Sequence, residues 1–133
     1  RLYFGTRGWV KTTTWREIMG SDMTITWQDF EKVDIRVGTI TKVEDFPEAR
    51  KPAYILHVDF GSKIGIKKSS SQITDLYNIQ QLQDKQVMAV VNFAPKQVGP
   101  IMSECLVLGF YRKDNSVVLA TNDLPINNGS RLL

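Results

Sequence analysis

The sequence predicts an all-β fold, a small five-stranded barrel carrying small helices. Three observations predict it. Short segments with strand period, bounded by Gly, Pro, Asn and Asp, recur along most of the chain. A helical pattern interrupts them once in mid-chain, and a shorter one precedes the first strand. The length of 133 residues suits one domain and is too short for two.

Thr26-Trp-Gln-Asp29 reads as a helix start, because Thr26 can accept a backbone N–H and Asp29 and Glu31 suit the positive helix end. The helix must be short, since strand period takes over from Val33 to Val43. Ile35, Val37, Thr39, Thr41 and Val43 then share one face, and Gly38 marks a bulge or sharp coil. Phe46 to Pro52 is a loop. From Ala53 to Phe60 the alternation is clear: Tyr54, Leu56, Val58 and Phe60 point inward, His57 and Asp59 outward. Lys63 to Lys67 forms a third strand with Ile64 and Ile66 inward.

Ser69 to Tyr77 then reads as a helix capped by Ser70 or Ser71, with Ile73, Leu76 and Tyr77 on its inner side. Lys85 to Phe93 is a β-branched run buried on both faces. Glu104 to Arg112 and Val117 to Ala120 are further strands, joined by a turn at Lys113 to Ser116, and Asn127-Asn-Gly129 is another turn. A helix between the third and fourth strands of a Greek-key barrel is the order of an OB-fold.

Composition narrows the function. Residues 1–22 carry Arg1, Arg7, Lys11 and Arg16 against Glu17 and Asp22, so the rest of the chain holds only +1 of the net +3. That counts against a nucleic-acid binder acting by charge alone. The first 22 residues have no clean period and no apolar core of a secretory signal. Met23 reads as the initiator and the stretch before it as an extension or appended segment, leaving 23–133 as the domain. No run approaches the roughly 18 apolar residues of a membrane span. One Cys and one His exclude an internal disulfide and a His/Cys metal site, and they leave little for an enzyme. No cofactor is expected, and the lone cysteine suits a reducing, cytoplasmic setting.

The remaining candidates are contact residues. His57 reads as an ordinary sheet residue and Cys105 as a buried structural thiol. Lys67, Lys68, Ser69, Ser70 and Gln72 join a strand to the expected helix N-terminus. They form either an anion-attracting site or a solvated cap. Asn92, Phe93, Pro95 and Lys96 end the most apolar strand. There Phe93 is either a stacking face or pocket wall, or a core residue. Arg50 and Lys51 read as a solvated loop in preference to a groove rim.

Asp34-Ile-Arg-Val-Gly38 and Val91-Asn-Phe-Ala-Pro-Lys96 resemble the two signatures of tRNA-binding OB domains. A narrower resemblance covers Met23 to Leu133. Phe46-Pro-Glu-Ala-Arg50, Asp59-Phe-Gly61, Ile64 to Thr74, Val90-Val-Asn-Phe93, Ser103-Glu104 and Leu106-Val-Leu-Gly109 are similar to the CsaA family of export-related chaperones. The resemblance implies a homodimeric barrel binding unfolded preproteins or peptides, with the export motor as a further partner and tRNA as the alternative ligand. It maps the family pocket onto Arg36, Asn92, Pro95, Lys96 and Ser103. Two departures shift weight from tRNA to peptide. Cys105 and Leu106 stand where the tRNA-binding branch has Gly-Met, and the loop Lys96-Gln-Val-Gly-Pro100 is less basic.

Overall fold

β1 (Ile35–Asp45) is eleven residues long because it serves two neighbours. Its second half, from Thr39, pairs with β2 (Tyr54–Asp59), and its first half, to Thr39, pairs with β4 (Gln86–Val90). The computed structural model describes residues 23–133, and the expectations for residues 1–22 lie outside them. β3 (Ile66–Ser71) extends the sheet beyond β2, and β7 (Leu106–Val107) extends it beyond β4, in the order β3-β2-β1-β4-β7. All these pairs are antiparallel. The sheet coils into a nearly closed five-stranded barrel, as an OB-fold should.

Two hairpins stand on this frame: β5 (Lys96–Val98) with β6 (Ile101–Ser103), and β8 (Gly109–Tyr111) with β9 (Val117–Leu119). Helix α1 (Trp27–Glu31) begins with a capping box. Thr26 Oγ accepts from the Asp29 N–H at 3.1 Å, and Asp29 Oδ2 accepts from the Thr26 N–H at 3.0 Å. Helix α2 (Ile79–Leu82) repeats the device with Asn78 and Gln81 and buries Leu82.

The barrel interior is filled by Ile40, Leu56, Val58, Phe60, Leu82, Val87, Ala89 and Cys105, with Ile73 and Val107. Phe46, Ala53 and Ile55 form a second, smaller cluster under the β5–β6 hairpin, against Val98 and Ile101. The chain end returns to brace β1: Gly129 N–H and Leu132 N–H donate to the Val37 and Ile35 carbonyls, and Ser130 C=O accepts from Val37 N–H. Gly129 is required there, since its φ of 88° is left-handed and a Cβ would lie 2.5 Å from the Phe60 carbonyl oxygen.

Five expectations are corrected. Ile35, Val37, Thr39, Thr41 and Val43 do not share one face, and the buried positions of β1 are Gly38 and Ile40. A register shift between Ile40 and Lys42 reverses the facing, which then turns Val43 toward the core. Gly38 lies outside that shift. It lets Val58 and Phe60 approach the backbone, for a Cβ would sit 2.6 Å from Val58 Cγ1.

The third strand is Ile66–Ser71 rather than Lys63–Lys67, and Ile66 is 60% exposed. The run read as a helix from Ser69 therefore begins as strand, and the mid-chain helix is Ile79–Leu82. Six residues of β3 pair with β2, satisfying main-chain groups that a serine cap would serve only singly. Finally, β4 buries Val87, Ala89 and Val90 but leaves Gln86 and Met88 half-buried, so it is not buried on both faces throughout. The strand expected over Glu104–Arg112 is split at Leu108 into β7 and β8.

A cleft at the barrel seam

The edges of the coiled sheet, β3 and β7, meet along a seam. Serine supplies much of its inner wall. Ser69 and Ser71 point inward and are buried, and their hydroxyls satisfy each other at 3.1 Å. The seam is pinned where Ser70 N–H donates to Ser103 Oγ (3.1 Å) and Glu104 N–H donates to the Lys68 carbonyl (2.7 Å). Lys68 N–H returns a bond to Glu104 Oε1 at 2.9 Å.

Beyond these pins the seam opens into a cleft of about 350 Å³. Ser69 to Ile73 form one wall, with Leu106 and Val107 of β7 and Val117 and Leu119 of β9 below. The β5 residues Gln97 and Val98 close one side, and Glu48, Ala49, Arg50 and Lys51 of the loop form the mouth. Across β5 lies a second, open hollow of about 550 Å³ formed by Phe93, Ala94, Pro95, Lys96 and Gln97. Gln97 belongs to both, so one β5 strand separates the two cavities.

The structure sorts the candidate residues into four groups. Ser69, Ser70 and Gln72 line the cleft, and Phe93, Pro95 and Lys96 line the hollow. Arg36, Asn92 and Ser103 line neither, and each has a partner inside the chain. Arg36 Nε donates to Asp34 Oδ1 at 2.6 Å and its Nη1 to the Gly129 carbonyl at 2.9 Å. Asn92 accepts from Asp34 N–H at 3.0 Å and donates to the Lys32 carbonyl at 2.7 Å. Ser103 is fully buried with its hydroxyl on Ser70.

Lys67 and Lys68 flank the cleft without lining it. No helix N-terminus lies at Lys67–Gln72, so neither an anion site nor a solvated cap of a helix forms there. Arg50 and Lys51, read as a solvated loop, are the cations at the cleft mouth. The apolar floor from Leu106 to Leu119 carries no signal in the sequence that marks it as a cleft lining. The Gly99-Pro100 turn between Val98 and Ile101 was the available signal for the hairpin beside it.

Two titrating groups define the local electrostatics. Burial pushes the Cys105 thiol up to about 12, with Lys67 opposing weakly, so the sulfur is not a nucleophile at neutral pH. On the outer face His57 Nε2 lies 2.7 Å from Glu44 Oε2. The hydrogen bond from His57 is the main reason the Glu44 carboxyl lies below its ordinary value. Among the described residues no group of three or more His, Cys, Asp and Glu could hold a metal, and no helix is long and apolar enough to cross a membrane.

The family described as "Putative tRNA binding domain" matches residues 35–131. The methionine–tRNA ligase of Flavobacterium psychrophilum is 33% identical over 106 residues, covering 79% of this chain but only 15% of the ligase. The chain thus spans a small fraction of the curated relatives it matches. Two solved chaperone structures are similar over nearly their full length. CsaA from Bacillus anthracis str. Ames is 44% identical with a TM-score of 0.78, covering 83% of this chain and 99% of its own. CsaA from Picrophilus torridus is 49% identical with a TM-score of 0.78, covering 83% and 100%.

Proposed function

This chain belongs to the tRNA-binding-domain family as a CsaA-type member, and on that premise we propose that it is an export chaperone whose seam cleft holds segments of unfolded preproteins. One observation carries the reading. The cleft lining combines hydroxyls and amides (Ser69, Ser70, Ser71, Gln72, Gln97) with an apolar floor (Val107, Val117, Leu119). Such a lining suits an extended chain, which offers main-chain polar groups and scattered apolar side chains together. A phosphate backbone would instead call for a dense set of cations.

The hollow at Phe93, Pro95 and Lys96 lies on the other side of β5 and would add an apolar contact and a charge for the same ligand. The role is binding without catalysis. A homodimer would double the groove and add avidity for a long flexible client. Exposed apolar side chains such as Trp27 and Leu124 are material for that contact, and sedimentation of the full chain tests it. Cytoplasmic work beside the export motor belongs to the same proposal.

The tRNA reading has one specific observation in its favour. Lys42, His57 and Lys68 stand in one row on the outer face of β1, β2 and β3. However, Glu44 takes both His57 (2.7 Å) and Lys42 (3.7 Å), which blunts that row for phosphate. A competition titration separates the two readings. Labelled unfolded preprotein is bound to the chain and challenged with tRNA at low and high salt. Peptide binding should survive high salt and resist tRNA. A ligand held through phosphates should weaken with a log–log salt slope of roughly −0.7 to −0.9 per contact. Tight tRNA binding with no preprotein binding would overturn the proposal. Phe93→Ala combined with Lys96→Ala should weaken preprotein binding while leaving the fold intact, and unchanged affinity would remove the hollow from the site.

A further inference from the structure

The main-chain groups of β3 are not all used. In an antiparallel pair a residue's N–H and C=O point to the same side. Lys68 and Ser70 send theirs away from β2, toward the seam: Lys68 bonds Glu104 through both groups, and Ser70 N–H bonds Ser103 Oγ. The Ser70 carbonyl therefore faces the seam too, and among the described residues no hydrogen bond reaches it. Gln72 follows the last residue of β3 and is exposed, and among the described residues no hydrogen bond reaches its main chain.

The pins end where the cleft begins. Because β3, β2, β1, β4 and β7 pair antiparallel in turn, β3 and β7 run in the same direction on either side of the gap. β3 and β7 are not hydrogen-bonded to each other, and β6 borders the gap through Ser103 on Ser70. A cleft of about 350 Å³ lies at the small end of ligand cavities, which run from about 300 to 1,000 Å³, and has room for a few residues of extended chain. The charge at the mouth is also lopsided. Arg50 and Lys51 are exposed and make no ion pair among the described residues, against the single carboxylate of Glu48.

From these observations we infer that the cleft binds its peptide by strand addition to the free edge of β3 at Ser70–Gln72, with a carboxylate of the peptide meeting Arg50 and Lys51. The inference rests on the peptide-holding reading and specifies how it works. Recognition runs through the ligand's main chain, which every unfolded client shares. The apolar floor takes alternate side chains, as a strand's period of two demands. Such a site selects for an extended conformation and an acidic group near one end, and tolerates wide variation in sequence.

The probe is a short synthetic peptide of alternating valine and serine with one internal Asp and a free C-terminal carboxylate. It is titrated against the full chain alongside an unfolded preprotein. A backbone N-methyl scan should show a period of two: methyls that remove a bond to β3 weaken binding by roughly two- to tenfold each, and those between them have little effect. Arg50→Ala with Lys51→Ala should weaken binding several-fold. That loss should be mimicked by amidating the C-terminus if the chain end is the carboxylate, or by Asp→Asn in the peptide if the side chain is. Preprotein binding with a flat scan, or with no binding of the peptide, overturns strand addition and leaves the peptide-holding reading standing. If neither ligand binds, both fall. A periodic scan with no effect of the Arg50 and Lys51 changes overturns the carboxylate contact alone.

Discussion

Ser103→Ala is the substitution that best separates a ligand contact from a structural pin. The resemblance places Ser103 in the binding pocket, whereas the structure buries it fully and sets its hydroxyl 3.1 Å from Ser70 N–H. Removing that oxygen deletes one net hydrogen bond, about 1 kcal/mol, and leaves a donor on β3 with nothing to bond. A fully stranded donor costs about 1–3 kcal/mol. Ser70 is half-buried beside an open cleft, so water relieves part of this and a loss of about 1–2 kcal/mol is expected. For a domain of this size that is a fall of roughly 3–10 °C in Tm. Urea denaturation measures the change directly, and the m-value should be unaltered because the same surface is exposed. Amide exchange at Ser70 should accelerate in parallel. Unchanged stability accompanied by weaker peptide binding would refute the reasoning and return Ser103 to the ligand.

Other outcomes follow from the same packing and charges. Gly38→Ala should destabilise the chain by about 1–3 kcal/mol, since the new methyl meets Val58 Cγ1 at 2.6 Å and the Phe60 ring at 2.8 Å inside a close-packed core. Chemical denaturation showing equal or greater stability would mean the neighbours yield freely. The Glu44 carboxyl should titrate below its ordinary value of 4.5, chiefly because His57 hydrogen-bonds it. With the folded value depressed, the contribution of this group is present above the unfolded value and is lost as pH falls through the folded one. NMR titration should find the Glu44 midpoint moving up in His57→Ala, and an unmoved midpoint would dismiss the pair. Cys105, raised to about 12 by burial, should resist thiol reagents at mildly alkaline pH until denaturant is added. Fast labelling of the native chain would contradict its placement.

What was legible in the sequence tracks how hydrophobic each inward position is. β2 was read correctly because Tyr54, Leu56, Val58 and Phe60 announce their face. The phase of β1 is hidden because a glycine and one isoleucine define its inward face before the register shifts between Ile40 and Lys42. β3 is illegible as a strand because its inward positions include Ser69 and Ser71, which carry no hydrophobic signal yet are buried. The β5–β6 hairpin has only three residues per strand, too few for a period to show. The candidate cleft is partly legible for the same reason. Ser69, Ser70 and Gln72 do line the cleft, but as an edge of sheet and not as a helix cap. Arg50 and Lys51 reach it only because the loop before β2 folds over the end of β3.

The residues that made the family recognisable are largely the ones that build the joint between its segments. Asp34-Ile-Arg-Val-Gly38 and Val91-Asn-Phe-Ala-Pro-Lys96 are far apart in the chain and adjacent in the fold. Val91 N–H donates to the Asp34 carbonyl at 2.9 Å, and Asn92 accepts from Asp34 N–H at 3.0 Å. Arg36 holds the Asp34 carboxylate and the Gly129 carbonyl, tying β1 to the returning chain end. A buried or half-buried polar group left without its partner is costly, so such side chains fit one architecture and few others. They therefore report the barrel, whatever ligand it takes. On the proposed reading, the ligand is decided where the architecture leaves groups unused: at the open stretch of the β3 edge, on the apolar floor of the cleft, and at the two cations of the 46–52 loop. Arg36→Ala should thus appear first in stability, and Arg50→Ala with Lys51→Ala first in affinity. The reverse order would mean that the signatures mark the ligand and not the joint.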